Sequence, residues 1–171
     1  RQRQMCIRDR YNAACEPYIQ QLCKLLSSMG AKISGVGSNL LTIEGVSSLG
    51  GAEHSVLPDM IEIGSWIGLA AMTKSNIRIK DVSWENLGVI PNVFRSLGIS
   101  LIKEGDDIVI PEHDKGYEIS NYIDGSILSI SDAPWPGFSP DLLSIILVIA
   151  TQARGCLLYT SDAADEEEGG G

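Results

Sequence analysis

Two carboxylates stand directly after a proline and directly before an apolar run. Asp59 does so in LPDMIEIGSWIGLAAMT (57–73), and Asp141 in SPDLLSIILVIATQARG (139–155). A third, Glu16, precedes Pro17 at the head of another helical stretch. The positive end of a helix macrodipole stabilises a carboxylate in its first turn as an anion, typically by about 0.3–1 kcal/mol. Such a group is a good acceptor for a hydroxyl proton but a weakened base, so positioning a hydroxyl ranks ahead of abstracting its proton. The same placement suits an ordinary N-cap, with Glu16 a plain first-turn carboxylate. Both roles can coexist, because each carboxylate oxygen takes a separate bond. The wording shared by Asp59 and Asp141 makes Pro-Asp first a capping device in both.

The stretch APWPGFSPDLLS (133–144) places three prolines and a glycine ahead of Asp141. Prolines restrict the backbone, so this turn is stiffened before it delivers its carboxylate. Trp135, between Pro134 and Pro136, reads as packing. Lys74 and Arg154 fall near helix C-termini, where cations are favoured without a catalytic reason. His54 and His113 stand alone and read as surface residues. The four cysteines, at 6, 15, 23 and 156, form no CxxC and share no metal-ligand spacing with histidine. They read as reduced thiols of a cytoplasmic protein, and neither a metal nor a cofactor is expected. GVGS (35–38) follows no nucleotide-binding pattern and reads as a turn.

Composition narrows the classes further. A formal net charge of -9 leaves no basic stripe for nucleic acid. An anionic small molecule remains compatible, through local arginines and helix N-termini. The longest uninterrupted apolar run, 145–150, is far short of a membrane span, and no signal peptide opens the chain. At 171 residues the chain suffices for one domain or pieces of two. The head (1–10) is basic and without period, and the tail (156–171) is an acidic run ending in glycines. Both are expected to be non-native or disordered, which leaves 11–155 for the fold.

That middle repeats. SSMGAKISGVGSN (27–39) and RSLGISLIKEGDD (95–107) align at an offset of 68 residues. In each, a helix ends at a glycine (Gly30 or Gly98), a short strand follows, and a turn at Gly37 or Gly105 leads to a second strand. The helices before them are expected from Glu16-Pro17 onward and over Trp84–Leu97. The Pro-Asp helices form a second matching pair, and the first of them leads into an alternating strand, SNIRIKDV. The unit is therefore helix, strand, strand, apolar helix, strand. The strands alternate while the Pro-Asp helices lack a wide polar face, so those helices are expected to be covered on nearly all sides. Sheets wrapped around internal helices fit this α/β pattern better than a doubly wound sheet.

The stretches NAACEPYIQQLCKLLSSMGAKISGVGSNLLTIEGV, LPDMIEIGSWIGLAAMTKS and DAPWPGFSPDLLSIILVIATQARG resemble, in order, the UDP-N-acetylglucosamine 1-carboxyvinyltransferase family of enolpyruvyl transferases. The resemblance covers 11–155 and implies an inside-out α/β barrel of repeated βαβαββ units, helices within and sheets outside. It implies that 11–56 end a first domain and 57–155 begin a second. The reaction it implies moves the enolpyruvyl group of phosphoenolpyruvate onto the 3-hydroxyl of UDP-N-acetylglucosamine, through a tetrahedral intermediate, with loss of phosphate. Such chemistry needs an acceptor for the hydroxyl proton, an acid for the methylene carbon and cations around the phosphate.

By resemblance Asp141 binds the sugar hydroxyl and takes its proton, while Asp59 and Glu16 lie near the substrate cleft. The family's cysteine loop and its phosphoenolpyruvate-binding lysine and asparagine have no match here. Neither Cys15 nor Cys23 inherits the cysteine's role, and the chain alone is expected to be inactive. Two alternatives stay open: a non-catalytic binding or scaffold module of the same repeats, and a shikimate-3-phosphate enolpyruvyl transferase relative.

Overall fold

The computed structural model describes residues 6–113 and 116–160. The chain divides into two compact units, 1–57 and 58–171. In the first unit, β1 (Ile7–Tyr11) precedes α1 (Pro17–Ser28), which is followed by β2 (Lys32–Ser34) and β3 (Leu40–Glu44). Proline opens α1 at the position where its missing N–H costs nothing. Gly30, at φ +104°, turns the chain out of the helix in a conformation that only glycine adopts cheaply. The three strands form an antiparallel sheet in the order β1-β3-β2.

The second unit repeats this plan. After α2 (Met60–Thr73) come β4 (Ile77–Ile79), α3 (Ile90–Ser96), β5 (Ile102–Glu104) and β6 (Asp107–Ile110). Their sheet is again antiparallel, in the matching order β4-β6-β5. The 68-residue repeat is thus a repeat of sheet topology. A further strand, β7 (Leu128–Ser131), is followed by α4 (Leu143–Ala150) and by β8 (Leu157–Thr160), which pairs parallel with β7. The core of this unit gathers Ile67 from α2, Phe94 from α3, Ile108 and Ile110 from β6, and Leu142 and Ile146 around the start of α4.

Three expectations change. The helix expected over Trp84–Leu97 is broken: Trp84–Asn86 form a 3-10 turn, Gly88 takes φ +54°, and α3 begins only at Ile90. Next, the Pro-Asp helices are not covered on all sides. In α2, Ile63, Ile67, Ala70 and Ala71 are buried while Trp66 and Leu69 are each 45% exposed, and α4 leaves Leu147 and Val148 outside. Finally, the ends are not structureless where they are described. Residues 7–11 and 157–160 are strands; the rest of the expected head and tail, 1–5 and 161–171, lies outside the described residues. Every residue of β1 is exposed, so its place rests on ladder hydrogen bonds to the open edge of β3 rather than on burial.

Candidate functional site

The two Pro-Asp motifs are built differently. Asp59 is the N-cap of α2: its Oδ1 accepts from the Ile61 amide at 2.8 Å and the Glu62 amide at 3.4 Å. Asp141 is not a cap. Ser139 takes that place, its Oγ accepting from the Asp141 amide at 3.3 Å, and Pro140–Leu142 form a 3-10 turn leading into α4. Asp141 therefore sits inside the first turn with its carboxylate exposed and uncommitted to the backbone. The expectation that capping explains both aspartates holds for Asp59 and is corrected for Asp141. A serine hydroxyl two residues earlier has taken over the bond.

Packing brings these two carboxylates to the same end of the second unit. Gly64 and Gly68 open a shallow channel along α2, and side chains from the other motif fill it. A Cβ on Gly64 would lie 2.6 Å from a methyl of Leu142, and one on Gly68 2.6 Å from Cγ2 of Ile145. The register advances in the same sense on both helices, so α2 and α4 run parallel, with Leu142, just ahead of α4, level with Gly64 in the second turn of α2. The sequence carried a signal for this, small residues four apart in an apolar helix, and the motif reading passed over it.

Glu16 belongs to the first unit. It is the N-cap residue of α1, yet its side chain makes no capping bond, and its Oε2 is buried without a hydrogen-bond partner among the described residues. A buried acceptor left unpaired is costly unless something else donates to it. The plain first-turn role is therefore not the one this side chain fills. The hydroxyl of Tyr117 is likewise buried and without a partner among the described residues, and burial raises its pKa. His113, expected on the surface, tilts against the Tyr117 ring at 4.7 Å.

The loop that carries Asp141 is closed on itself. The Ala133 amide donates to the Phe138 carbonyl at 3.0 Å, and the Gly137 amide to the Pro134 carbonyl at 2.8 Å. Gly137 has to be glycine, since a Cβ would stand 2.5 Å from that of Ala133. Trp135 does not rest simply between its two prolines; its ring covers Gly88. Beside the loop runs an open groove of about 450 Å³, between α3 and β7. Its walls, including Val89, Val93, Tyr122 and Phe138, carry no charged side chain, so it does not suit a phosphate. Lys74 is the left-handed C-cap of α2, and the backbone of Arg154 pairs with Tyr117 and Ile119, which gives neither a catalytic place. Among the described residues, no cluster of three or more His, Cys, Asp or Glu could hold a metal.

The sequence profile of the family described as EPSP synthase (3-phosphoshikimate 1-carboxyvinyltransferase) matches residues 5–165. The chain belongs to this family. Within the EPSP synthase family it is similar to the UDP-N-acetylglucosamine 1-carboxyvinyltransferase of Bacteroides thetaiotaomicron, with 67% identity over 148 residues, 86% of this chain and 34% of that protein. The enzyme of the same name from Porphyromonas gingivalis is 65% identical over the same shares. The chain thus spans about a third of the length of these curated relatives. Among solved structures, the enolpyruvyl transferase NikO from Streptomyces tendae matches with a TM-score of 0.74 at 16% identity, over 92% of this chain and 36% of that one. The fold is therefore that of an EPSP synthase family member, mixed α and β.

Proposed function

We propose that this chain is part of an enzyme that transfers the enolpyruvyl group of phosphoenolpyruvate to the 3-hydroxyl of UDP-N-acetylglucosamine, a step of peptidoglycan synthesis in the cytoplasm. The observation that carries the reading is the carboxylate of Asp141, exposed and spared from capping by Ser139. The acceptor hydroxyl donates a hydrogen bond to it while the hydroxyl oxygen bonds to C2 of phosphoenolpyruvate and a proton adds to C3. Loss of a C3 proton and of phosphate then leaves the enol ether. Asp141 first orients the hydroxyl and then receives its proton, a weaker base made effective by position. Asp59, bound by the cap, contributes through the helix end it fixes at the cleft. Glu16, at the start of α1, is assigned to substrate binding on the family resemblance.

In this reading residues 11–56 end one domain and 57–155 begin the next, each an inside-out barrel of βαβαββ units. The exposed side chains of Trp66 and Leu69 on α2, and of Leu147 and Val148 on α4, are then ones that the rest of the second barrel covers. Two thirds identity to enzymes named for the UDP-sugar favours that acceptor over shikimate 3-phosphate.

The test is the Asp141→Asn variant of the full-length protein. Phosphate release is expected to fall by at least about a hundredfold, the scale of a lost positioned proton acceptor. Turnover within about threefold of wild type would overturn the reading.

A further inference from the structure

We propose that Trp135, seated on Gly88, is the positioning residue that holds Asp141 at its working place. The inference rests on the reading of Asp141 given above and adds how its position is set. Among the described residues nothing bonds to the Asp141 carboxylate, so its place depends on the backbone on either side. On the C-terminal side Leu142 is fully buried and fills the hollow over Gly64. On the N-terminal side the chain must be fixed by the loop.

That loop is anchored at two points. Phe138 is 3% exposed, and its carbonyl closes the ring of residues 133–138. Trp135 reaches across to Gly88, where a Cβ would stand 2.4 Å from Cη2 and 2.6 Å from Cζ3 of the indole. No side chain larger than hydrogen fits beneath the ring. Gly88 is itself held from the opposite direction. Its segment begins with the amides of Ser83 and Trp84 donating to the carboxylate of Asp106, at 3.0 and 2.8 Å. The Asp81 amide donates to Asp107 at 3.1 Å, a bond that, with Arg78 behind it, holds the Asp107 carboxyl below its ordinary pKa. A continuous path of backbone bonds and packing thus runs from the β5–β6 turn through Gly88 and Trp135 to Asp141. Because a misplacement of about 1 Å at a reacting group can cost about a hundredfold in rate, an anchor six residues away can act on turnover without touching substrate.

The experiment is a double-mutant cycle in the full-length protein, reading kcat and the KM of both substrates alongside thermal unfolding. Trp135→Ala is expected to lower kcat by roughly ten- to a hundredfold, with KM for phosphoenolpyruvate unchanged. Trp135→Phe should recover most of the loss. In the Asp141→Asn background, Trp135→Ala should bring no further loss, since the residue through which it acts is already gone. Should Trp135→Ala fail to fold, Gly88→Ala lifts the ring while keeping it and is expected to give the same pattern. An equal fold-loss from Trp135→Ala in both backgrounds, or a lower melting temperature with kcat intact, overturns the positioning role alone. An Asp141→Asn variant with unimpaired turnover overturns the reading of Asp141 and this inference with it.

Discussion

Leu57 and Ser139 occupy the same place in two otherwise similar motifs, two residues before an aspartate. Leucine has no oxygen with which to cap a helix, so at the first motif Asp59 turns inward to the Ile61 and Glu62 amides. Serine can cap, so at the second the helical turn starts two residues earlier relative to the aspartate, and Asp141 is released to solvent. The sequence carried this distinction in one side chain; the shared Pro-Asp wording concealed it, because both aspartates stand at the mouth of an apolar helix. Glu16 was legible only as a residue near a helix start. That one of its oxygens is buried and without a partner among the described residues depends on tertiary packing, which no local pattern reports. The two aspartates should separate by experiment. Asp59→Ala in the full-length protein is expected to cost about 1 kcal/mol in urea unfolding, the usual value of a lost N-cap. Asp141→Ala should change stability by less than about 0.5 kcal/mol, as for an exposed surface carboxylate.

The helices and strands of the repeat could be read because their signals are local. Proline starts α1, Gly30 and Gly98 end α1 and α3, and the alternating strands fall where period two requires. The break within 84–97 is local as well: Gly88 accepts the positive φ, and Pro91 marks the first turn of α3 rather than the interior of a longer helix. The coverage of α2 departs from expectation for a different, non-local reason. An apolar helix without a polar face says that cover is needed, not that this stretch of chain supplies it. What α2 does find is α4, through the hollows at Gly64 and Gly68. Gly68→Val would thrust a branched side chain against Cγ2 of Ile145, itself branched at Cβ and unable to swing away. Such overpacking is expected to cost about 1–3 kcal/mol, seen as a lower denaturation midpoint.

At the scale of the whole molecule, the formal net charge is -9, and no described helix is long and apolar enough to cross a membrane. The order of three motifs carried the family before any coordinate did, and the matching sheets β1-β3-β2 and β4-β6-β5 explain why 27–39 recurs as 95–107. Which acceptor the proposed enzyme serves is a question for the full-length protein, since the chain spans about a third of the length of its relatives. The direct measurement is phosphate release from phosphoenolpyruvate by the full-length protein, offered UDP-N-acetylglucosamine or shikimate 3-phosphate in parallel. The account predicts release with the UDP-sugar and none above background with shikimate 3-phosphate. Release with shikimate 3-phosphate alone, or with neither, would contradict it.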